Sequence, residues 1–165
     1  QGHGNVAFLV GNNLVDFPNA RQMEKFEIKL LVNKTHPLAQ KEEVLIEDLK
    51  NERLYLESSE FNINKLIIQR CKAAGFEPDI AFETSGFSLC HKMVRQNKGI
   101  SVMVDFIFDD MCGNDLKMIP FKEEPLYWIT YMMTREGSVP NENVELFGKH
   151  VMKWQEDIQN NCFIR

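Results

Sequence analysis

The sequence predicts an α/β fold, a mostly parallel sheet flanked by helices. Three observations carry this. Apolar strand-like runs alternate along the chain with helix-like segments. Two of those segments, near residues 62–74 and 86–98, lie directly between strands, where right-handed crossovers belong. Residues 100–108 (ISVMVDFIF) are apolar at nearly every position, as in a strand covered on both faces.

In chain order, residues 5–10 (NVAFLV) form a short apolar run closed by Gly11. Residues 25–32 (KFEIKLLV) read as a strand, with Phe26, Ile28 and Leu30 pointing one way and Glu27 and Lys29 the other. Pro37 breaks it, since proline cannot continue a ladder. An extended stretch comes next, with a short helix around Glu47, Asp48 and Leu49, and residues 53–57 (RLYLE) form the next strand. Asn62 caps a helix whose Ile63, Leu66, Ile67, Cys71 and Ala74 share one face at offsets of 3, 4, 8 and 11. Gly75 is placed to end it in a left-handed cap.

Residues 80–84 (IAFET) predict a strand. Ser85 and Gly86 open a second helix, with Phe87, Cys90, Met93 and Val94 inward and Gly99 at its end. Asp109 and Asp110 read as a solvated turn without a third oxygen ligand at calcium-loop spacing. Residues 117–121 (KMIPF) fit an edge strand that tolerates Pro120, and 126–134 (LYWITYMMT) a strong strand. Pro140 enters a last helix whose inward residues are Val144, Phe147, Val151, Trp154 and Ile158. The expected core includes Leu66, Ile67, Cys71, Phe82, Val102 and Val104.

Composition excludes several classes. A chain of 165 residues, 44% hydrophobic and 26% charged, is globular and not disordered. It can bury roughly 70% of its unfolded surface without a staple. The net charge is −5 with no basic block, so nucleic-acid binding by this chain itself is not expected. No apolar run approaches the ~20 residues of a membrane span, and no leader sequence is visible. Cys71, Cys90, Cys112 and Cys162 form no CxxC, and no metal-ligand spacing or cofactor motif appears. These features predict a cytoplasmic protein with reduced thiols, no metal and no cofactor. Gln1, Gly2 and His3 have no periodic relation to the residues after them and are set aside.

Several short motifs resemble one family in order. His36-Pro37-Leu38-Ala39 followed by Leu45-Ile46-Glu47-Asp48-Leu49 resembles the turn and xLxDL segment in the effector-binding domain of LysR-type transcription regulators. Cys71 to Pro78 (CKAAGFEP) is similar to that family's helix ending in AGFxP, and Phe82-Glu83-Thr84 to its next strand. Val94 to Ile100 (VRQNKGI) resembles its helix-to-strand junction, and Gly4-Asn5-Val6-Ala7-Phe8 its GxxDxAI strand. Asp105 and Phe106 stand where the family commonly has proline.

The resemblance implies a two-lobed fold like the type 2 periplasmic binding proteins, with the second lobe nearly complete and the first partial. On that reading residues 4–165 are an effector-binding domain. Residues 4–24 are a remnant of the first lobe, 25–125 the second lobe, and 126–165 a strand and helix returning toward the first. The winged-helix DNA-binding domain is absent, as in a fragment truncated at its N-terminus.

The candidate site is the junction of Ser58, Ser59, Phe61 and Asn62, where hydroxyls, an aromatic ring and free helix N–H groups come after a strand end. Thr84 and Ser85 open the second helix in the same way. The resemblance adds Gly11 at the lobe crossing and Asp105 as a cleft-facing carboxylate. Each has a plainer reading: Ser and Asn are ordinary N-caps, and Asp105 fits a strand-end carboxylate satisfied by backbone donors. Adjacent Cys90 and His91 point about 100° apart on a helix and form no catalytic pair. They read as a core thiol and a surface imidazole.

Two function classes remain. One is a sensor of a polar or anionic small molecule, acting by population shift in a homo-oligomer that reaches DNA only through the absent winged helix, with no membrane and no catalysis. The other is a solute-binding protein or enzyme of the same two-lobed architecture.

Overall fold

The computed structural model describes residues 6–11, 20–57, 62–84, 86–104, 114–134 and 142–162. Its strands are β1 (Val6–Gly11), β2 (Ala20–Asn33), β3 (Arg53–Glu57), β4 (Asp79–Thr84), β5 (Ser101–Val104), β6 (Leu116–Ile119) and β7 (Leu126–Thr134). Its helices are α1 (Asn62–Ala73), α2 (Phe87–Arg95) and α3 (Glu142–Cys162). The chain forms two compact units, Phe26–Trp128 and the combination of Gln1–Lys25 with Ile129–Arg165.

The strands of the Phe26–Trp128 unit belong to two sheets, the two-stranded β3–β4 sheet and a five-stranded sheet in which β2 pairs with β5 and β6. β3 and β4 are parallel, from Arg53 opposite Asp79 to Glu57 opposite Thr84. A parallel bridge joins Leu54 to Ile100, where the Tyr55 N–H donates to the Ile100 carbonyl and the Ile100 N–H to the Arg53 carbonyl, both at 2.9 Å. β2 is antiparallel to both β5 and β6. The expectation of a mostly parallel sheet is corrected by this topology, because most ladders are antiparallel. One reversed strand, β2, makes both of its pairings in this unit antiparallel. The apolar run at 101–104 reports cover on both faces, which helices supply whatever the strand direction.

That cover is visible residue by residue. Ile28, Leu30, Val32, Leu54, Leu56, Val102 and Val104 share one core with Ile67 and Cys71 of α1. The alternate residues Leu31 and Met103 form a second cluster with Val94 of α2 and Leu116. The period-2 alternation of β2 and β5 therefore feeds two cores, one under each helix. Each fully buried aliphatic side chain contributes ~1.5–3 kcal/mol. Of the expected core, Ile67, Cys71, Val102 and Val104 are buried. Leu66 and Phe82 are only partly so, and Phe82 packs its ring edge-on against Tyr55 with centroids 5.0 Å apart.

The helix ends show how local chemistry sets boundaries. Gly75 has φ 85°, the Gly75 N–H donates to Lys72 O and the Phe76 N–H to Cys71 O, which is a Schellman cap. α2 ends the same way on Asn97, with φ 52° and bonds from Asn97 to Val94 and from Lys98 to Met93. Gly99, the expected terminator, has a different task. A Cβ there would overlap the Arg53 carbonyl oxygen and lie 2.8 Å from Tyr55 Cε2, so glycine lets the chain reach β3.

The His36-Pro37-Leu38-Ala39 turn is structural. Pro37–Gln40 is a single 3-10 turn with Pro at its start. The His36 Nδ1 accepts from the Leu38 N–H at 3.3 Å, and its Nε2 lies 3.3 Å from Glu52 Oε2. With Nδ1 accepting, Nε2 is the nitrogen that carries the proton and donates to Glu52. Lys117 Nζ donates to the carbonyls of Ala39 (2.6 Å) and Lys41 (3.1 Å), closing this turn against β6.

In the other unit β1 pairs antiparallel with β7, from Val6 opposite Thr134 to Gly11 opposite Ile129. The Glu24 N–H donates to Thr130 Oγ1 at 3.1 Å. On α3, Phe147 meets Phe8 edge-on at 6.4 Å. The expected inward face of α3 needs correction: Val144 and Val151 are half-buried, but Phe147 and Trp154 are exposed (45% and 61%). The helical period identifies an apolar face without saying that this chain covers it. The side chain of Ile158 lies outside the described residues.

Candidate functional site

The last register pair of the parallel β3–β4 ladder, Glu57 opposite Thr84, puts two strand ends side by side. α1 begins at Asn62 and α2 at Phe87, so two helix N-termini come after neighbouring carboxyl ends. Free N–H groups and the positive dipole end make such junctions hospitable to anions. Neither helix has an acidic residue in its first turn, whereas each has two basic residues in its last, Arg70 and Lys72 in α1 and Lys92 and Arg95 in α2. The C-terminal dipoles are thus complemented by basic side chains, while the first turns carry no carboxylate.

Thr84 Oγ1 accepts from the Gly86 N–H at 3.2 Å, a local turn that sets the entry to α2. Gly86 is extended (φ −118°, ψ 114°) and makes no side-chain cap. Asn62 is in the first turn of α1, with its side chain outside the described residues. Ser58, Ser59, Phe61, Ser85 and Asp105 also lie outside them, as do Asp109 and Asp110. Gly11 ends β1 opposite Ile129 and belongs to the other unit. The structure therefore sets Thr84 beside Glu57, with the Gly86 N–H bonded to the Thr84 side chain. Glu83, beside Thr84, is exposed.

His91 departs from the sequence reading. It is buried, 6% exposed, not a surface residue. Its place is legible in the spacing: it lies four positions after Phe87 and three before Val94, which is the inward spacing of α2. Burial first, and the charge of Arg95 second, hold its pKa below the ordinary value. Cys71 and Cys90 are free buried thiols. Among the described residues no group of three or more His, Cys, Asp or Glu could hold a metal ion, and no helix is long and apolar enough to cross a membrane.

The chain belongs to the LysR substrate-binding domain family, whose model matches residues 1–156. It is 30% identical over 104 residues to an uncharacterized HTH-type transcriptional regulator, YwbI, of Bacillus subtilis (strain 168), covering 63% of this chain and 35% of that protein. It is 27% identical over 96 residues to the transcriptional dual regulator GltC of the same organism, covering 58% of this chain and 32% of that one. The chain thus spans about a third of the length of the curated relatives it matches. Among solved structures, the effector-binding domain of QuiR in complex with shikimate superposes with a TM-score of 0.70 at 15% identity, over 91% of this chain and 72% of that one. The BenM effector-binding domain with its effector benzoate gives 0.70 at 17% identity, over 94% and 71%. These likenesses show the fold, which is periplasmic-binding-protein-like.

Proposed function

We propose that this chain is the sensing part of a cytoplasmic LysR-type regulator and that it binds a small polar or anionic effector at the junction after β3 and β4. Thr84, the start of α1 and the intervening Ser58, Ser59, Phe61, Asn62 and Ser85 form one wall. Asp105 comes after β5, and Gly11 stands at the crossing between lobes. The Phe26–Trp128 unit acts as the second lobe, and the remaining unit as part of the first. Binding between lobes favours one arrangement of a homo-oligomer, and a winged helix elsewhere in the full-length protein carries that arrangement to DNA. No covalent chemistry is involved.

The observation that carries this reading is the pair of helix N-termini at adjacent strand ends, neither neutralised by a first-turn carboxylate. Shikimate and benzoate, bound by QuiR and BenM, are both small carboxylates, which supports an effector of that charge. Calorimetry of a small-acid panel against the full-length regulator tests it. Saturable binding that raises thermal stability is expected, whereas turnover of a bound compound, or binding by the DNA-binding domain alone, contradicts it.

A further inference from the structure

Most of the exposed large hydrophobic side chains among the described residues lie in the unit that holds β1 and α3. They are Phe8, Leu9 and Val10 on the strand and Leu146, Phe147 and Trp154 on the helix. α3 spends a different face on its own unit. Val144, Gly148 and Val151 are half-buried, at helical spacings of 4 and 3, and a Cβ on Gly148 would lie 3.3 Å from Met132 Cε of β7. Trp154 comes seven residues after Phe147, two turns on, so the two share a second stripe. Phe8 extends that stripe through its edge-on contact with Phe147. Soluble chains rarely leave an apolar patch of this kind open, so the stripe calls for a cover.

The charges beside the stripe select the cover. Glu142, Glu145, Lys149 and Lys153 are exposed and, at spacings of 3, 4 and 4, form one flank of α3. The first half of that flank is acidic and the second half basic. Where two copies of a helix pair antiparallel about a two-fold axis, the same flank meets itself reversed. With the axis beside Phe147, Glu145 faces Lys149 of the second copy, each two residues from the axis. Glu142 faces Lys153 of the second copy, five and six residues from it. A parallel pairing sets Glu against Glu and Lys against Lys instead. The flank is complementary to itself only in the antiparallel sense.

We propose that α3 pairs antiparallel with α3 of a second copy of this chain. Phe147 and Phe8 lie at the seam, Trp154 of each copy lies over the start of the other's helix, and the Glu142–Lys153 and Glu145–Lys149 pairs form the rim. This gives the homo-oligomer of the proposed function its face and rests on that part of the reading, not on the effector site.

The test is sedimentation velocity of the 165-residue chain over a range of concentrations at neutral pH and low salt. A reversible monomer–dimer equilibrium, weakened by added salt, is expected. Glu145→Lys alone and Lys149→Glu alone should each weaken the dimer about tenfold, because symmetry makes two like-charge contacts from either change. The double variant Glu145→Lys/Lys149→Glu restores the pairs in reverse and should recover the wild-type equilibrium. Trp154→Ala, at an exposed position, should weaken the dimer tenfold or more, as loss of an aromatic anchor does. Circular dichroism checks that each variant is folded. A dimer indifferent to Trp154→Ala and to both charge reversals overturns the face and leaves the homo-oligomer standing. A double variant as weak as the single ones overturns the antiparallel pairing. A chain that stays monomeric at high concentration, or that aggregates without limit, overturns the dimer and leaves the stripe to another segment or partner. Effector affinity, measured separately by calorimetry, decides the junction reading in every case.

Discussion

Glu57 and Thr84 stand opposite each other as the last pair of the only parallel ladder between named strands of the described residues. Everything proposed for ligand binding at the junction descends from that pairing. It aligns the ends of β3 and β4, so the chain must leave both strands at the same level and enter α1 and α2 from there. Two helix N-termini, with N–H groups that have no partner within their own helix, follow without any special sequence, since every helix start has them.

Ile67 tests the packing of α1. It is fully buried, so Ile67→Ala is expected to cost ~2–5 kcal/mol through lost transfer energy and a cavity. Leu66→Ala, at a partly exposed neighbour, should cost less. Urea unfolding of the two variants orders them, and equal losses would mean the helix face is misplaced.

Two glycines separate close approach from backbone conformation. Gly99→Ala drives a methyl into the Arg53 carbonyl and the Tyr55 ring, and should destabilise by ~1–3 kcal/mol or more, as overpacking does. At Gly75 a Cβ would meet nothing within 4 Å. Gly75→Ala should then cost only the ~1–2 kcal/mol of a left-handed residue. Denaturation midpoints with unchanged slopes would check both, and a harmless Gly99→Ala would deny the close β3–β5 approach.

Burial pushes the Cys71 thiol up to about 11 from an ordinary 9.0, helped by the nearby Glu77 charge. At pH 8 a thiol of that pKa is only ~0.1% thiolate. Iodoacetamide should leave Cys71 unmodified in the folded chain and label it readily in urea, as read by mass spectrometry. Because the folded pKa is the higher one, this group's contribution is fully present below pH 9 and is lost as pH climbs toward 11. Rapid labelling of the folded chain would contradict its burial.

His91 acts in the opposite direction. Its folded pKa lies below the ordinary 6.5, so the unfolded chain takes up the proton first. Stability should be unaffected by this group above 6.5 and should fall as pH drops below it. Comparing wild type with His91→Gln in urea between neutral and mildly acidic pH isolates the effect. A variant with the same acid slope as wild type would deny it.

Much of the fold is legible in the sequence because local chemistry decides it. Asn62 and Gly75 bracket α1, and residues 53–57 form β3 where alternation puts them. Strand direction is not legible, because cover on both faces of residues 101–104 looks the same whether the neighbouring strand runs parallel or antiparallel. Gly99 misleads as a helix terminator because Asn97 can also take a left-handed cap. Phe147 and Trp154 show an apolar face whose exposure no periodicity reports. The candidate site is legible only as helix openings: Thr84 bonds locally to Gly86, while Ser58, Ser59, Phe61, Ser85 and Asp105 lie outside the described residues. His91, at inward spacing but polar, escapes a sequence reading because its type argues for the surface.

The sharpest measurement of whether the β3–β4 junction holds the effector is calorimetric affinity for a confirmed small acid in the full-length regulator, compared with its Ser59→Ala, Phe61→Ala and Thr84→Val variants, each checked for folding by circular dichroism. At least Ser59→Ala and Phe61→Ala are expected to weaken binding about tenfold, ~1.4 kcal/mol, with thermal stability nearly unchanged. Unchanged affinity in folded variants would contradict the assignment and reduce the junction to a pair of ordinary helix caps.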